Sequence, residues 1–329
     1  MFFFFFSFVL KSLHLSTFPV ELVSLTLVKR LDLSFNDLSE LPPSLASMSS
    51  LRHLILTGNH FVKFPLVLLS MSDLHTIALG RNSLTEIPGD LGKMAELREL
   101  DLFMNKLRSV IIREPAPKLH TLLLRANRLS ELSATLVGLT ALTHLDISSN
   151  KIESLLPLAD MERLTKLECS SCTLSNLQVF TVQSSLICKT LVFLNVSCNR
   201  QITAINDFQT PNLTELRAMN CSIERIASKL QSCIKLRILD LDGNPLRAAM
   251  LECPRLEVLA MCGSKLNQFP EILHGNLIEL ATANTHLRKM PSVCASSFTD
   301  GIKRLYLQGN KIAELSVAYL QSLTVSEQK

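Results

Sequence analysis

One pattern constrains this chain more than any other. "LRHLILTGNHF" at 51, "LHTIALGRNSL" at 74, "LRELDLFMNKL" at 97 and "LHTLLLRANRL" at 119 share the frame LxxLxLxxNxL. Followed by its asparagine position, the frame passes through Asn36, Asn59, Asn82, Asn105, Asn127, Asn150, Cys172, Asn199, Cys221, Asn244, Ser264, Thr285 and Asn310. Successive positions lie 20 to 27 residues apart. No single turn of this kind can bury its own alternating leucines. The turns must stack, so that their short strands pair in parallel over one continuous apolar core.

Each constant residue has a physical reason. The alternating leucines point inward, and the asparagine closes the bend, where a lost partner for a backbone group costs roughly 1–3 kcal/mol. Cys172 and Cys221 are tolerated substitutes at that place, whereas Ser264 and Thr285 predict less regular turns. Return segments such as "LVLLSMSD" and "LGKMAE" predict single helical turns, 3-10 turns or extended chain. The step from Cys172 to Asn199, with "FTVQSSLICKT", has room for a longer helix or a protruding loop.

These residues resemble the leucine-rich repeat family over residues 28 to 320. The "LPxxLxxLxx" extension in "LPPSLASMSS" and "IPGDLGKMAE" resembles the subtype found in intracellular signalling scaffolds. The resemblance implies an α/β repeat solenoid: a leucine-rich-repeat horseshoe of about 12–13 repeats, with a concave parallel β-sheet and an irregular or short-helical convex side.

Composition narrows the function classes. The formal charge of +4, from 33 basic and 29 acidic residues, contains no block of one sign, so neither nucleic acid nor an anionic membrane is an expected partner. No apolar run reaches the roughly 18 residues that cross a bilayer. Nine cysteines, all in the second half, do not form a disulfide framework. "CSSC" at 169 to 172 has redox or zinc spacing, but Cys169 takes the third leucine position and Cys172 the asparagine position, so both thiols are expected in the core. "GDLGKM" lacks the frame of a phosphate loop, and nucleophile elbows, HExxH and dinucleotide fingerprints are absent. The expectation is a noncatalytic chain with no cofactor and no metal.

Function must then sit between the strand leucines, on side chains free of any core role. Glu99, Asp101, Phe103, Leu123, Arg125, His144, Asp146 and Glu168 combine two apolar side chains with a mostly acidic surround, the build of a protein-binding surface on the concave face. Phe193, Arg217 and Tyr306 form a sparser second candidate surface.

The degenerate middle repeats "LTKLECSSCTLSNL" and "LTELRAMNCSIERI", then a longer linker before "LYLQGNKI", are similar to the repeat arm of the PH-domain leucine-rich-repeat protein phosphatases. That likeness implies an arm that positions a phosphatase domain lying outside this chain. The leading reading is a cytoplasmic protein-interaction scaffold or recognition arm in intracellular signalling. The alternatives are a fragment of such a phosphatase and a secreted or receptor ectodomain.

"MFFFFFSFVLKSLHLS" has the apolar core of a secretion signal but neither a basic start nor a small-residue cleavage site. Residues 1 to about 9 read as intron read-through or a mispredicted start. Residues 1–27 accordingly read as a truncated segment with a partial repeat, ahead of a repeat domain over 28–329 that is incomplete at its C-terminus.

Overall fold

The computed structural model describes residues 7–206, 208–226, 230–272, 277–289 and 302–313. The chain divides into two compact units, Met1–Ile152 and Glu153–Lys329.

In the first unit seven three-residue strands follow one another: β1 (Ser7–Val9), β2 (Arg30–Asp32), β3 (His53–Ile55), β4 (Thr76–Ala78), β5 (Glu99–Asp101), β6 (Thr121–Leu123) and β7 (His144–Asp146). Each pairs in parallel with the next without a register shift, so that Leu31 faces Leu54, Ile77 faces Leu100 and Leu122 faces Leu145. These central side chains are fully buried, as are Leu33, Leu56, Leu79, Leu102 and Leu124 two residues on. Burial of each contributes about 1.5–3 kcal/mol, and only while the next turn covers it.

The ladder begins earlier than the repeat frame suggests. Ser7–Val9 pairs with Arg30–Asp32, and the Asn36 carboxamide accepts from the N–H groups of Leu13 and Leu15 while donating to the Leu10 carbonyl. Leu13 stands at the asparagine position of this turn, so the sequence frame shows it only as a partial repeat.

Asparagine is required because its carboxamide stitches two turns. Asn82 Nδ2 donates to the carbonyls of Leu79 and Gly80 in its own turn and of Leu56 in the turn before, and its Oδ1 accepts from Phe61 N–H at 3.0 Å. Asn59, Asn105, Asn127 and Asn150 repeat this geometry.

A second constant of the turn carries no constant residue. The position just before the asparagine always has positive φ: +55° at Phe35, +70° at Gly58, +52° at Arg81 and Met104, +56° at Ala126 and Ser149. The left-handed bend aims the following asparagine inward. It costs a side-chain-bearing residue roughly 1–2 kcal/mol, hence the recurrence of Gly and Asn here.

Return segments are 3-10 helices, as the short connections predict: Val20–Ser24, Pro43–Ser47, Leu66–Ser70, Leu91–Lys93 and Ala134–Gly138. Each buries one leucine, Leu22, Leu45, Leu68, Leu91 and Leu136, and ends after a turn or so because the chain must re-enter the sheet.

The second unit uses the same ladder with different return segments. Its strands in chain order are β8 (Lys166–Glu168), β9 (Phe193–Asn195), β10 (Ala204–Ile205), β11 (Glu215–Arg217), β12 (Arg225–Ile226), β13 (Ile238–Asp240), β14 (Met250–Leu251), β15 (Val258–Ala260), β16 (Glu271–Ile272), β17 (Glu279–Ala281) and β18 (Arg304–Tyr306). β8, β9, β11, β13, β15, β17 and β18 form the parallel ladder. On the return side β10 pairs with β12 and β14 with β16, replacing helical turns by two-residue ladders.

The long step from Cys172 to Asn199 is filled by a 3-10 turn at Gln178–Phe180 and a one-turn helix α1 (Ile187–Thr190). Phe180 is fully buried against Phe208, ring centroids 5.4 Å apart, so the extra residues thicken the core. Ser264 and Thr285 do not disorder their turns. Gly263 and Asn284 bend at +71° and +54°, Ser264 Oγ donates to Met261 O at 2.6 Å, and Thr285 Oγ1 donates to Thr282 O at 3.2 Å. The bend is set by the backbone before the position, and a short hydroxyl still satisfies the carbonyl three residues back.

Candidate functional site

Glu99 and Asp101 lie on β5, Leu123 on β6, and His144 and Asp146 on β7, with Phe103 and Arg125 two residues beyond their strands. These seven residues share one face of the first unit's sheet. Glu168 belongs to the second unit, on β8, where its carboxylate meets Lys166 Nζ at 2.7 Å.

Phe103 is only half-buried, and its environment was not legible from its spacing. Its ring lies across Gly80 in the preceding turn: a Cβ built on Gly80 would stand 2.1 Å from Phe103 Cδ1. Arg81 places its guanidinium carbon 5.8 Å from the ring centroid. Glycine thus seats the aromatic ring flat on the sheet, and the arginine covers it from one side. Phe35 lies over Gly58 in the same manner, with Lys11 Nζ 5.0 Å from its centroid. The sequence signal was available: in each case a glycine follows or precedes the phenylalanine by one period.

The acidic row has a structural duty as well as a surface. Asp101 Oδ1 accepts from Phe103 N–H at 3.0 Å, Asp146 Oδ1 from Ser148 N–H at 2.9 Å and Asp32 Oδ1 from Ser34 N–H at 2.9 Å. A carboxylate on the last residue of the strand therefore holds the N–H group two residues on, which explains its recurrence. Burial pushes the Asp101 carboxyl up to about 6, against the opposing bond from Phe103 N–H, and the charges of Glu99 and Asp146 push it further the same way. His53, two turns earlier in the same unit, is held below its ordinary value by burial, His75 and Arg30.

In the second unit Phe193 and Arg217 do come together. The guanidinium carbon lies 5.7 Å from the ring centroid, Lys166 Nζ lies 5.4 Å from it, and Glu215 receives Arg217 Nε at 2.5 Å. Tyr306, on β18, pairs with Ala281 at the far end of this ladder and does not join them.

Cys169 and Cys172 are buried, as their frame positions predict. Eight cysteines among the described residues are free thiols; Cys198 is exposed and Cys262 half-exposed. Burial raises Cys221 to about 11 and Cys253 to about 12. Among the described residues no group of histidines, cysteines and carboxylates is placed to hold a metal ion, and no helix is long and apolar enough to cross a membrane.

Two family models match: leucine-rich repeats in two copies over residues 117–160, and a single leucine-rich repeat over 27–48. No curated protein matches the sequence. Among solved structures, a leucine-rich-repeat protein of Leptospira interrogans is similar over 96% of this chain and 86% of its own, at 22% identity and a TM-score of 0.78. The plant peptide hormone receptor RGFR1 in complex with RGF2 is similar over 93% of this chain and 53% of its own, at 20% identity and 0.65. Toll, from the Drosophila Toll–Spatzle complex, is similar over 92% of this chain and 44% of its own, at 20% identity and 0.63. At these identities the likeness speaks to fold. Repeat frame, parallel ladder and structural neighbours agree that the fold of this chain is a leucine-rich-repeat solenoid.

Proposed function

We propose that the chain is a noncatalytic interaction module, a scaffold or recognition arm in intracellular signalling, whose protein partner docks on the sheet face of the first unit. The observation that carries this reading is the seat of Phe103. An aromatic ring held against Gly80, on a sheet face that also carries Leu123 and the carboxylates of Glu99, Asp101 and Asp146, is an apolar anchor whose ordering cost is already met, with charged neighbours on the same face. Two of the similar structures are themselves complexes, one with RGF2 and one with Spatzle. The free thiols, one of them exposed, favour a reducing compartment and so the cytoplasm. Phosphatase-coding sequence directly downstream in the transcript would identify the module as the arm of a larger enzyme of the PH-domain leucine-rich-repeat class.

The test is the double substitution Phe103→Ala and Arg125→Ala in the full chain, followed by affinity capture from cytosolic extract. Loss of specific partners is the expected result, and unchanged recovery of every partner removes the sheet-face reading.

A further inference from the structure

We infer that the first unit carries a second docking surface, a basic edge beside the asparagine ladder, and that it takes an acidic segment of a protein partner. Lys106, Arg128 and Lys151 each follow the asparagine position of consecutive turns, and all three are exposed. Their N–H groups donate to Leu84, Leu107 and Leu129 carbonyls of the turns before, which stacks the three side chains at about one strand spacing, roughly 4.8 Å. Arg125 and Arg81 extend the row on the sheet side, also exposed. In the linear sequence these cations are dispersed by a period of 22 or 23 residues; the fold gathers them.

Arg52, Lys93 and Lys118 of this unit are matched, with Asp73 at 3.2 Å, Asp90 at 2.5 Å and Glu96 at 2.5 Å, whereas the stacked cations are not. Among the described residues, Lys106, Arg125, Arg128 and Lys151 have neither a carboxylate partner nor a side-chain hydrogen bond. Like charges about 5 Å apart repel by roughly 1 kcal/mol in water and more near a protein surface, so a bound anionic segment relieves what the fold holds in place.

Two observations select an acidic peptide over a uniformly anionic polymer or surface. Met104, 47% exposed, stands among these cations and offers an apolar contact. Glu99 and Asp101 on the adjoining sheet face repel any partner whose negative charge continues past the edge. Four turns span about 15 Å, the reach of four or five extended residues. This inference shares Arg81, Arg125, Glu99 and Asp101 with the sheet-face reading, so the two triple variants below leave those residues and Phe103 intact.

The experiment is fluorescence anisotropy of the full chain with a labelled peptide of about 12 residues, Asp and Glu around one central Leu, and with its Lys-substituted counterpart. The acidic peptide is expected to bind and the lysine peptide not to. Affinity should fall several-fold between about 50 and about 300 mM NaCl. The triple variant K106E/R128E/K151E should lose about tenfold or more, and K106A/R128A/K151A should lose affinity with an unchanged melting curve. No binding by the unaltered chain, binding by both triple variants as tight as by the unaltered chain, or tighter retention of duplex DNA or of phosphatidylserine vesicles than of the peptide would overturn it. Peptide binding that survives in F103A/R125A while partner capture also survives there sinks the sheet-face reading alone.

Discussion

The two units solve one problem with different parts. Both run a parallel ladder of three-residue strands with a left-handed residue at every bend, +52° to +70° in the first unit and +50° to +72° in the second. Around that shared device, the first keeps asparagine in six consecutive turns and returns through 3-10 helices opened by Pro19, Pro42 and Pro65. The second substitutes Cys172, Cys221, Ser264 and Thr285, and returns partly through the pairs β10–β12 and β14–β16. The difference teaches that the bend is the invariant of the fold, while the carboxamide is the strongest of several ways to fasten it.

The comparison breaks most visibly at the ladder. Asn82→Ala strands the buried Phe61 N–H and takes one of two donors from each of the Leu56, Leu79 and Gly80 carbonyls, which keep Asn59, Asn105 and Gly58 N–H respectively, and is expected to cost about 2–3 kcal/mol in urea unfolding of the full chain. Cys221→Ala removes only a thiol that approaches Val196 O at 3.5 Å and Met219 O at 3.6 Å, so about 1 kcal/mol is expected. Equal losses at the two positions would mean that the thiol fastens its turn as firmly as the carboxamide.

Glycines sharpen the same contrast. Gly243 sits at +70° with Asn220 Oδ1 only 2.1 Å from a would-be Cβ, so Gly243→Ala meets both backbone strain and a clash and should cost about 2 kcal/mol. Gly80 has no positive φ, and what a Cβ meets there is the movable Phe103 ring. Gly80→Ala should cost about 1 kcal/mol or less, yet weaken partner capture as much as Phe103→Ala does, because the ring loses its seat. Normal capture by G80A would show that ring placement is not what the partner reads.

How much of this was legible follows from where the information lies. The inward leucines and the asparagines are spelled one letter per position, so the frame at Asn36 to Asn150 yields ladder, core and face directly. The bend is spelled by conformation: Phe35, Arg81, Met104, Ala126 and Ser149 share a φ and nothing else, and only Gly58, Gly243, Gly263 and Gly309 betray it. The turn at Ser7–Leu15 read only as part of a partial repeat because Leu13 replaces the diagnostic residue. At the candidate site, the frame placed Phe103 and Asp101 on the sheet face, but the Gly80 seat and the Asp101 bond to Phe103 N–H depend on neighbours one turn away. The basic edge is the extreme case, since charge scattered along the sequence becomes a patch only after stacking.

The left-handed position itself admits a smaller test in the opposite direction. Ala126→Gly, at +56°, relieves strain that alanine bears while giving the unfolded chain more freedom, and the two effects leave a gain of about 0.5 kcal/mol. A raised urea midpoint is expected, against the usual loss on placing glycine within a regular element. A fall of 1 kcal/mol or more would show that the Ala126 methyl packs more than its position suggests.

The smallest effect concerns the middle row, where the first unit uses Asp101 and the second uses Asn195 for the same task, accepting the N–H two residues on, from Ser197 at 3.1 Å in the latter. Asp101→Asn therefore keeps the bond and removes only the charge. In the folded chain burial lifts the Asp101 carboxyl to about 6 from its ordinary 3.8, so the folded state holds more protons than the unfolded state between those values. The sign follows: the stability linked to this group is fully present below about 4 and is lost as pH rises through about 6. Asp101→Asn does not titrate, and every other acidic group is the same in both proteins. The urea midpoint of the variant should thus exceed that of the unaltered chain at pH 7, with the gap closing as pH falls to 4. A gap independent of pH would mean that Asp101 is better solvated than its place between Glu99 and Asp146 implies, and that the two units differ here in residue but not in electrostatics.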